Sequence, residues 1–286
     1  MARCITVAFL VSFCILSAQY LITRPESLMN NGADYLVVTH NNFTTQANRL
    51  CRLRDSLGLR VKMAEVSLVY QNFLTTRPRA DRIKAFLHQV YNAWNPRPQY
   101  VLLVGDANRT DSTRDYLPSK LFPKFSYPYS YGGSFHASDN WYAELADSNY
   151  VPDIIIGRLP VSSAASADSV VSKIVRYETT PPSGQWLKTV LMDASVDRER
   201  YATDYDTAFF RVAGDSVIKV YESSGAPTDS LRRRTVRGMN QGVVFTLAVS
   251  HGAEVSWEGN TGRTLFSYLD IPSLTNANYS VCFGRG

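Results

Sequence analysis

The sequence predicts an α/β fold with mostly parallel strands, arranged as two doubly wound subdomains of which the second is incomplete. Short runs rich in apolar and β-branched residues alternate with amphipathic helical segments along the chain, a pattern typical of strands joined by crossover helices. A segment of Thr, Pro, Ser and Gly at residues 179–184 separates two such series. In the second series, one short strand-like run follows the last well-defined strand.

Size and composition indicate a globular protein with a substantial core. The chain has 286 residues, of which 45% are hydrophobic and 19% charged, with a formal net charge of +5. These values exclude a disordered chain. The densest basic cluster, Arg232-Arg233-Arg234, falls in a predicted helix without interleaved aromatic residues. We interpret it as a solvated helix face and expect no nucleic-acid partner.

The N-terminus resembles a secretory signal peptide over residues 1–18. Arg3 precedes an apolar run, and small residues follow that run as a cleavage site requires. The run is shorter than the ~20 residues of a membrane span, so no stable span is expected; an uncleaved anchor or a buried strand is the alternative. We expect a secreted or cell-surface protein. Cys4 and Cys14 would leave with the signal peptide, and the two remaining cysteines form no disulfide framework.

The first subdomain is predicted to span residues 33–180. Each strand is followed by a helix or by a loop rich in Gly, Pro, Tyr or Ser. Strands are predicted at residues 35–39, 60–66, 100–104 and 152–158, helices at 45–57, 80–94 and 164–177, and a long surface loop at 116–140. Gly58 and the Asn95-Pro96 pair end the first two helices, because neither favours continued helix.

The second subdomain is predicted to span residues 185–286 and repeats the alternation. Strands are predicted at residues 189–192, 217–221 and 242–252, with helices at 198–213 and 230–239 and a last short strand at 279–283. His251 ends the third of these strands and is followed by Gly252. In open α/β sheets, reacting groups gather at the carboxyl ends of strands, so His251 is a candidate catalytic base. Cys282 in the last strand is a candidate thiol nucleophile, although each residue also fits a structural role.

Five segments, in the same order, resemble the gingipain family of cysteine peptidases. They are ADYLVVTH at residues 33–40, VLLVGD at 101–106, SDNWYA at 138–143, PDIIIGRLP at 152–160 and SHG at 250–252. The resemblance covers about residues 33 to 286. It implies a caspase-like fold in two subdomains, secretion, protein or peptide substrates and a Cys-His catalytic centre.

The resemblance assigns the catalytic histidine to His251, in the strand-His-Gly context. It also implies an acidic residue on the strand ending in Ile-Gly-Arg, a place that Asp153 occupies, which would orient the imidazole. A strand cap or an ion pair with Arg158 is the alternative for Asp153. No cofactor is required; Asp106 and Asp139 fit either turn formation or a structural calcium site.

The segment expected to carry the nucleophile departs from the family pattern. Gingipain-like chains carry a Leu-Thr-Asn segment, then a strand that opens with Pro and ends in Cys. Here Leu274-Thr275-Asn276 is present, Ser280 takes the place of Pro, and the expected cysteine would follow Gly286. On this alignment Cys282 lies inside the strand and the chain is a C-terminally truncated member. On the competing alignment the strand is shorter and Cys282 itself is the nucleophile.

The sequence therefore predicts a secreted cysteine-type endopeptidase that acts through an acyl-enzyme. The alternative is a catalytically inactive α/β binding module, or a fragment lacking its nucleophile. A nucleotide-binding domain is disfavoured, because the chain has neither a Gly-x-Gly-x-x-Gly segment nor a P-loop.

Overall fold

A computed structural model describes residues 19–74, 76–123, 135–146, 149–253, 255–260 and 262–285. The predicted signal peptide at residues 1–18 lies outside the described residues. The chain divides into two compact units, residues 1–175 and 176–286, whereas the sequence placed the boundary at 179–184. Among the described residues, no helix combines the length and apolar character needed to span a membrane.

The first unit contains a four-stranded parallel sheet. The strands of this unit are β1 Tyr35–Thr39, β2 Val61–Glu65, β3 Tyr100–Val104, β4 Lys120–Pro123, β5 Phe135–Ser138 and β6 Ile155–Leu159. The parallel sheet has the order β2-β1-β3-β6. Strands β4 and β5 form a separate antiparallel pair within the stretch predicted as loop, of which residues 124–134 lie outside the described part.

Helices cover both faces of this sheet. They are α1 Pro25–Met29, α2 Thr44–Ser56, α3 Val66–Asn72, α4 Arg79–Ala93 and α5 Ala164–Thr179. Successive strand side chains point to opposite faces: Leu36 and Val38 join the buried cluster that includes α1, α3 and α4, whereas Val37 joins the cluster that includes α2 and α5. Burial on both faces explains why β1 is apolar throughout. The sequence predicted α2, α4 and α5 but not α1 or α3.

Arg158 anchors the chain at the carboxyl end of this sheet. Its side chain is only 10% exposed and contacts the Asp139 carboxylate at 2.6 Å. The guanidinium also donates to the carbonyl oxygens of Gly105 and Leu117, at 2.7 and 2.5 Å. Burial raises the pKa of Asp139, but the bonds from Arg158 outweigh it, so the pKa falls below its usual value. One side chain thus joins three segments that sequence alone leaves unconnected.

Arg158→Ala should lower the free energy of unfolding by about 3–5 kcal/mol, because it leaves the half-buried Asp139 carboxylate unpaired. Arg49→Ala, which breaks an exposed pair with Asp168, should cost about 1 kcal/mol or less. Urea unfolding of both variants tests the difference. Equal losses of unfolding free energy in the two variants would show that the Arg158 contacts stabilise the fold no more than an ordinary surface ion pair does.

The second unit contains another four-stranded parallel sheet. Its strands are β7 Thr189–Ala194, β8 Ser216–Tyr221, β9 Phe245–Val249 and β13 Val281–Arg285, in the order β13-β9-β7-β8. Its helices are α6 Glu199–Tyr205, a π-helical turn Asp206–Phe210, α7 Arg211–Ala213 and α8 Thr228–Gln241. The two sheets confirm the predicted α/β class with mainly parallel strands.

A small antiparallel sheet interrupts the run predicted as a single strand at 242–252. Its strands are β10 His251–Ala253, β11 Ser256–Glu258 and β12 Thr264–Ser267. The β9 ladder with β7 and β13 stops at Val249, and the chain then enters the second sheet at His251. His251 therefore belongs to the antiparallel sheet and lies outside β9.

Helix α8 packs against β7 and meets a buried carboxylate there. Gly238 allows the close approach, since a Cβ at that position would lie 2.9 Å from Leu191 Cδ1. Thr235 donates its hydroxyl to Asp193 Oδ2 at 2.7 Å, while Asp193 Oδ1 has no hydrogen-bond partner in the described part of the chain. Burial raises the pKa of Asp193 to about 7. Asp193 is therefore a core acid that favours the neutral form.

Arg232-Arg233-Arg234 lies on α8, and two of its members have partners within the chain. Arg232 contacts the Asp270 carboxylate at 2.7 Å, and Arg234 donates to the carbonyl oxygen of Lys219 at 3.0 Å. These contacts give the cluster a role in holding α8 to its neighbours.

Asp193 should make stability fall as pH rises. Between its ordinary pKa and about 7, the unfolded chain has lost this proton while the folded chain keeps it, so raising the pH favours unfolding. The free energy of unfolding, measured with urea at about pH 5 and about pH 8, should fall less between these pH values in Asp193→Asn than in the wild type. Comparing the two proteins cancels the other titrating groups. An equal fall in unfolding free energy in both proteins would contradict a raised pKa for Asp193.

Candidate active site

The site of interest lies at the carboxyl edge of the sheet in the second unit. Strands β7 and β9 are adjacent and parallel, so the segments that follow them leave the sheet at the same edge. The Ser195 amide donates to the carbonyl oxygen of Val249 at 3.2 Å, which joins the two segments directly. This contact brings the residues after Ala194 next to those after Val249.

His251 and Asp197 form a hydrogen-bonded pair at this edge. His251 Nε2 lies 3.0 Å from Asp197 Oδ2, and the two side chains remain 40% and 35% exposed. The other carboxylate oxygen, Asp197 Oδ1, accepts the Ser195 hydroxyl at 2.7 Å. Both oxygens of Asp197 are therefore engaged, which fixes the plane of the carboxylate, while the imidazole stays accessible to a substrate.

The surroundings of Asp197 favour its charged form. Burial raises the pKa of Asp197, but the hydrogen bonds from Ser195 and His251 outweigh burial, and the pKa lies below its usual value. Asp197 is consequently an anion at neutral pH. An anion beside an imidazole fixes the tautomer and stabilises the imidazolium, the two functions of the acid in a catalytic triad.

The antiparallel sheet holds the backbone of His251. In its register, His251 pairs with Glu258 and Gly252 pairs with Trp257. The Trp257 ring packs against Phe266 with centroids 5.0 Å apart. Among the described residues other than Gly252 and its two chain neighbours, no heavy atom lies within 4 Å of the place where a Cβ would stand at Gly252. The peptide next to the imidazole thus borders open space that a substrate can enter.

Cys282 lies inside β13, away from the level of His251. It is paired in register with Thr246, five positions before His251. β9 ends at Val249, three residues after Thr246 and about 10 Å further along the strand at ~3.3 Å per residue, and the chain has entered the antiparallel sheet at His251. The register thus places Cys282 inside the strand and not at the edge where His251 lies, and the role of Cys282 as the nucleophile stays a prediction.

Asp153 has other partners than the predicted one. Its Oδ2 accepts the amide hydrogens of Leu145 and Ala146 at 2.6 and 2.8 Å, and these bonds lower its pKa. The carboxylate that the structure places beside His251 is Asp197; the orienting role of Asp153 stays a prediction. A signal was present in the sequence: Asp197 follows the predicted strand at 189–192 of the same subdomain by five residues, and adjacent parallel strands deliver the loops that follow them to the same edge.

The residues suggested as calcium ligands are engaged with the protein. Asp139 pairs with Arg158 and accepts the Ser119 hydroxyl at 2.8 Å, and Asp106 Oδ1 accepts the amide of Ala107 at 3.0 Å. In the described part of the chain, no group of three or more His, Cys, Asp or Glu residues is arranged to hold a metal ion.

Sequence comparison matches this chain over nearly its whole length. The family model described as Peptidase family C25 matches residues 29–285. Lys-gingipain HG66 of Porphyromonas gingivalis is 24% identical over 214 residues, which cover 71% of this chain and 11% of that protein. An uncharacterized protein of Archaeoglobus fulgidus is 21% identical over 209 residues, which cover 66% of this chain and 46% of that protein.

Solved structures share the fold. A chain from the complex of Porphyromonas gingivalis RgpB pro- and mature domains matches with a TM-score of 0.66 at 19% sequence identity, covering 87% of this chain and 55% of that one. A structure described as a protease matches with a TM-score of 0.66 at 20% identity, covering 90% and 52%. At these identities the matches establish the fold, and they confirm the predicted caspase-like α/β architecture.

The two cysteines outside the predicted signal peptide should react very differently with a thiol reagent. Cys282 is exposed and Cys51 is buried, and burial raises the pKa of Cys51 to about 12. In a variant with Cys4 and Cys14 replaced by Ser, iodoacetamide should label Cys282 in the folded protein and Cys51 only after unfolding. Peptide mass spectrometry identifies the labelled residue.

His251→Ala should leave the labelling rate of Cys282 unchanged, because the register separates the two side chains. A rate that falls by about tenfold or more in this variant would show that the imidazole activates the thiol, and would restore Cys282 as a nucleophile.

Proposed function

This chain belongs to peptidase family C25, and we propose that it is a gingipain-type cysteine endopeptidase whose catalytic base is His251, oriented by Asp197. The observation that carries the proposal is the 3.0 Å contact between His251 Nε2 and Asp197 Oδ2 at the carboxyl edge of a parallel sheet. Membership of the family supports peptidase activity, with protein or peptide substrates.

The β13–β9 register indicates where a nucleophile would have to stand. Arg285 is level with Val249, the last residue of β9, so a residue that follows Gly286 would leave β13 at the edge of the sheet near which His251 lies. A cysteine at that position would emerge at the same edge as the imidazole. In this proposal that cysteine, rather than Cys282, supplies the thiol, and the alignment that places the nucleophile after Gly286 is preferred.

The proposed reaction begins with transfer of the thiol proton to His251. The thiolate then attacks the carbonyl carbon of the scissile peptide, and the C–N bond breaks as the imidazolium returns its proton to the leaving amine. Water, deprotonated by His251, cleaves the resulting thioester and regenerates the thiol. With Nε2 directed at Asp197, Nδ1 is the nitrogen that exchanges these protons, and the Asp197 anion stabilises the imidazolium.

The backbone next to His251 would stabilise the oxyanion. The open space at Gly252 admits the substrate carbonyl, and the Gly252 amide would donate to the negative oxygen of the tetrahedral intermediate. One such donor is typically worth about 10²–10³ in rate. We further propose secretion, on the basis of the signal-like residues 1–18.

An inactive binding module remains the second candidate function. The observation that favours it is the offset of Cys282 from His251. A chain with Cys282 as its sole thiol near the end of β13 would keep the fold and the His251–Asp197 pair without a nucleophile in reach. The two candidates differ in whether a polypeptide substrate is cleaved or only bound.

Hydrolysis of unfolded casein by protein expressed from the natural reading frame, including any residues encoded after Gly286, should depend on His251. His251→Ala should abolish turnover, and Asp197→Asn should lower kcat by about 10²–10⁴ because the imidazole loses its orientation and its counter-charge. Asp153→Asn is the matched control and should stay within about twofold of wild type. Circular dichroism confirms that each variant is folded.

Cleavage by the His251→Ala variant would contradict the assignment of the base. A larger loss in Asp153→Asn than in Asp197→Asn would reverse the assignment of the acid. If the wild-type protein binds casein without cleaving it, the binding module is the function.

A further inference from the structure

Glu222 is a buried acid whose contacts fall outside the reaction described above. It is the first residue of the 3₁₀ turn Glu222–Ser224 that follows β8, and it is only 4% exposed. Its Oε2 accepts the amide hydrogens of Val196 at 2.9 Å and Asn260 at 3.0 Å. One carboxylate oxygen therefore joins two loops that are distant in sequence.

The first of these loops carries Asp197. Val196 lies between Ser195, whose hydroxyl holds Asp197 Oδ1, and Asp197 itself. A bond to the Val196 amide fixes the Ser195–Val196 peptide, which joins the residue that donates to Asp197 Oδ1 to the residue before Asp197. Glu222 therefore holds the backbone one residue away from Asp197 and its contact with His251.

The second loop continues from the strand that pairs with His251. Glu258 is the register partner of His251, and Gly259 and Asn260 follow it directly. Gly259 leaves room for the acid: a Cβ there would lie 2.5 Å from Glu222 Oε1. The turn that contains Glu222 is itself held by Glu199, which accepts the amide and hydroxyl of Ser223 at 2.8 and 2.6 Å.

We propose that Glu222 is a positioning residue that holds the Asp197 loop and the His251 hairpin in mutual register. Its role for the reaction rests on the proposed function, but its effect on the geometry of the pair does not. The amides of Val196 and Asn260 donate to the same oxygen of Glu222, and burial keeps water from replacing these bonds. Two loops anchored to one oxygen keep Asp197 Oδ2 within reach of His251 Nε2.

The test compares four variants in the second unit. Glu222→Ala removes the acceptor, and Gly259→Ala displaces it by adding a Cβ where the carboxylate lies. Glu222→Gln keeps an oxygen that accepts both amides. Thr235→Val is the control for an ordinary structural loss, because it removes the bond to the buried Asp193 and leaves the two loops untouched.

The readout is the pair of ring-nitrogen NMR signals of His251, which report its tautomer and the hydrogen bond at Nε2. His251→Ala assigns them, and Asp197→Asn gives their position when the partner is lost. Glu222→Ala and Gly259→Ala should move the Nε2 signal toward the Asp197→Asn position. Glu222→Gln and Thr235→Val should leave it at the wild-type position, although Thr235→Val lowers stability.

An unchanged His251 Nε2 signal in folded Glu222→Ala or Gly259→Ala protein would overturn the proposal. A shift of that signal in Thr235→Val as large as the shift in Glu222→Ala would overturn it as well. If Glu222→Ala does not fold, Gly259→Ala and Glu222→Gln still decide it. In the casein assay, kcat should fall about 10-fold to 100-fold in Gly259→Ala, the range typical of residues that orient a catalytic group. Shifted signals without cleavage by any protein would refute the proposed function and leave the positioning role intact.

Discussion

Parallel pairing of β7 with β9 is the constraint on which the candidate site depends. In an antiparallel pair, the segments after the two strands would leave at opposite edges; in a parallel pair they leave at the same one. The Ser195–Val249 contact at 3.2 Å continues this pairing for one more step, and Asp197 and His251 each lie two residues further along their segments. The same register places Cys282 at the level of Thr246. This pairing therefore brings Asp197 next to His251, and the pairing of β13 with β9 places Cys282 three residues before the end of the ladder.

Buried carboxylates form a second layer beneath this edge. Glu222 Oε2 accepts amides from both loops, whereas Asp193 has one bond, from Thr235, and burial raises its pKa to about 7. Asp197, with two donors and partial exposure, keeps a pKa below its usual value. Within one small region, the number of donors and the depth of burial thus separate a carboxylate with a lowered pKa from one with a raised pKa.

The first unit uses the same physics for a different purpose. Arg158 gathers Asp139 and the carbonyl oxygens that follow β3 at the carboxyl edge of its sheet, and Asp153 holds the amides of Leu145 and Ala146. Motifs that resemble the gingipain family in this unit, such as the Ile-Gly-Arg segment, therefore contribute contacts that order loops. Similarity in a motif did not by itself distinguish a residue that orders a loop from one that lies beside the candidate base.

The sequence by itself determined the α/β class, the mainly parallel strands, the family and the candidate base, because apolar periodicity and the Ser-His-Gly segment are local signals. It missed α1, α3, the β4–β5 pair and the antiparallel sheet after His251, whose short segments carry weak periodicity. Only the tertiary structure decided which acid meets His251, where Cys282 stands and what Glu222 joins. Those facts depend on strand order and register, which are set by pairing between distant segments, and a one-residue change in register would alter every contact at the edge.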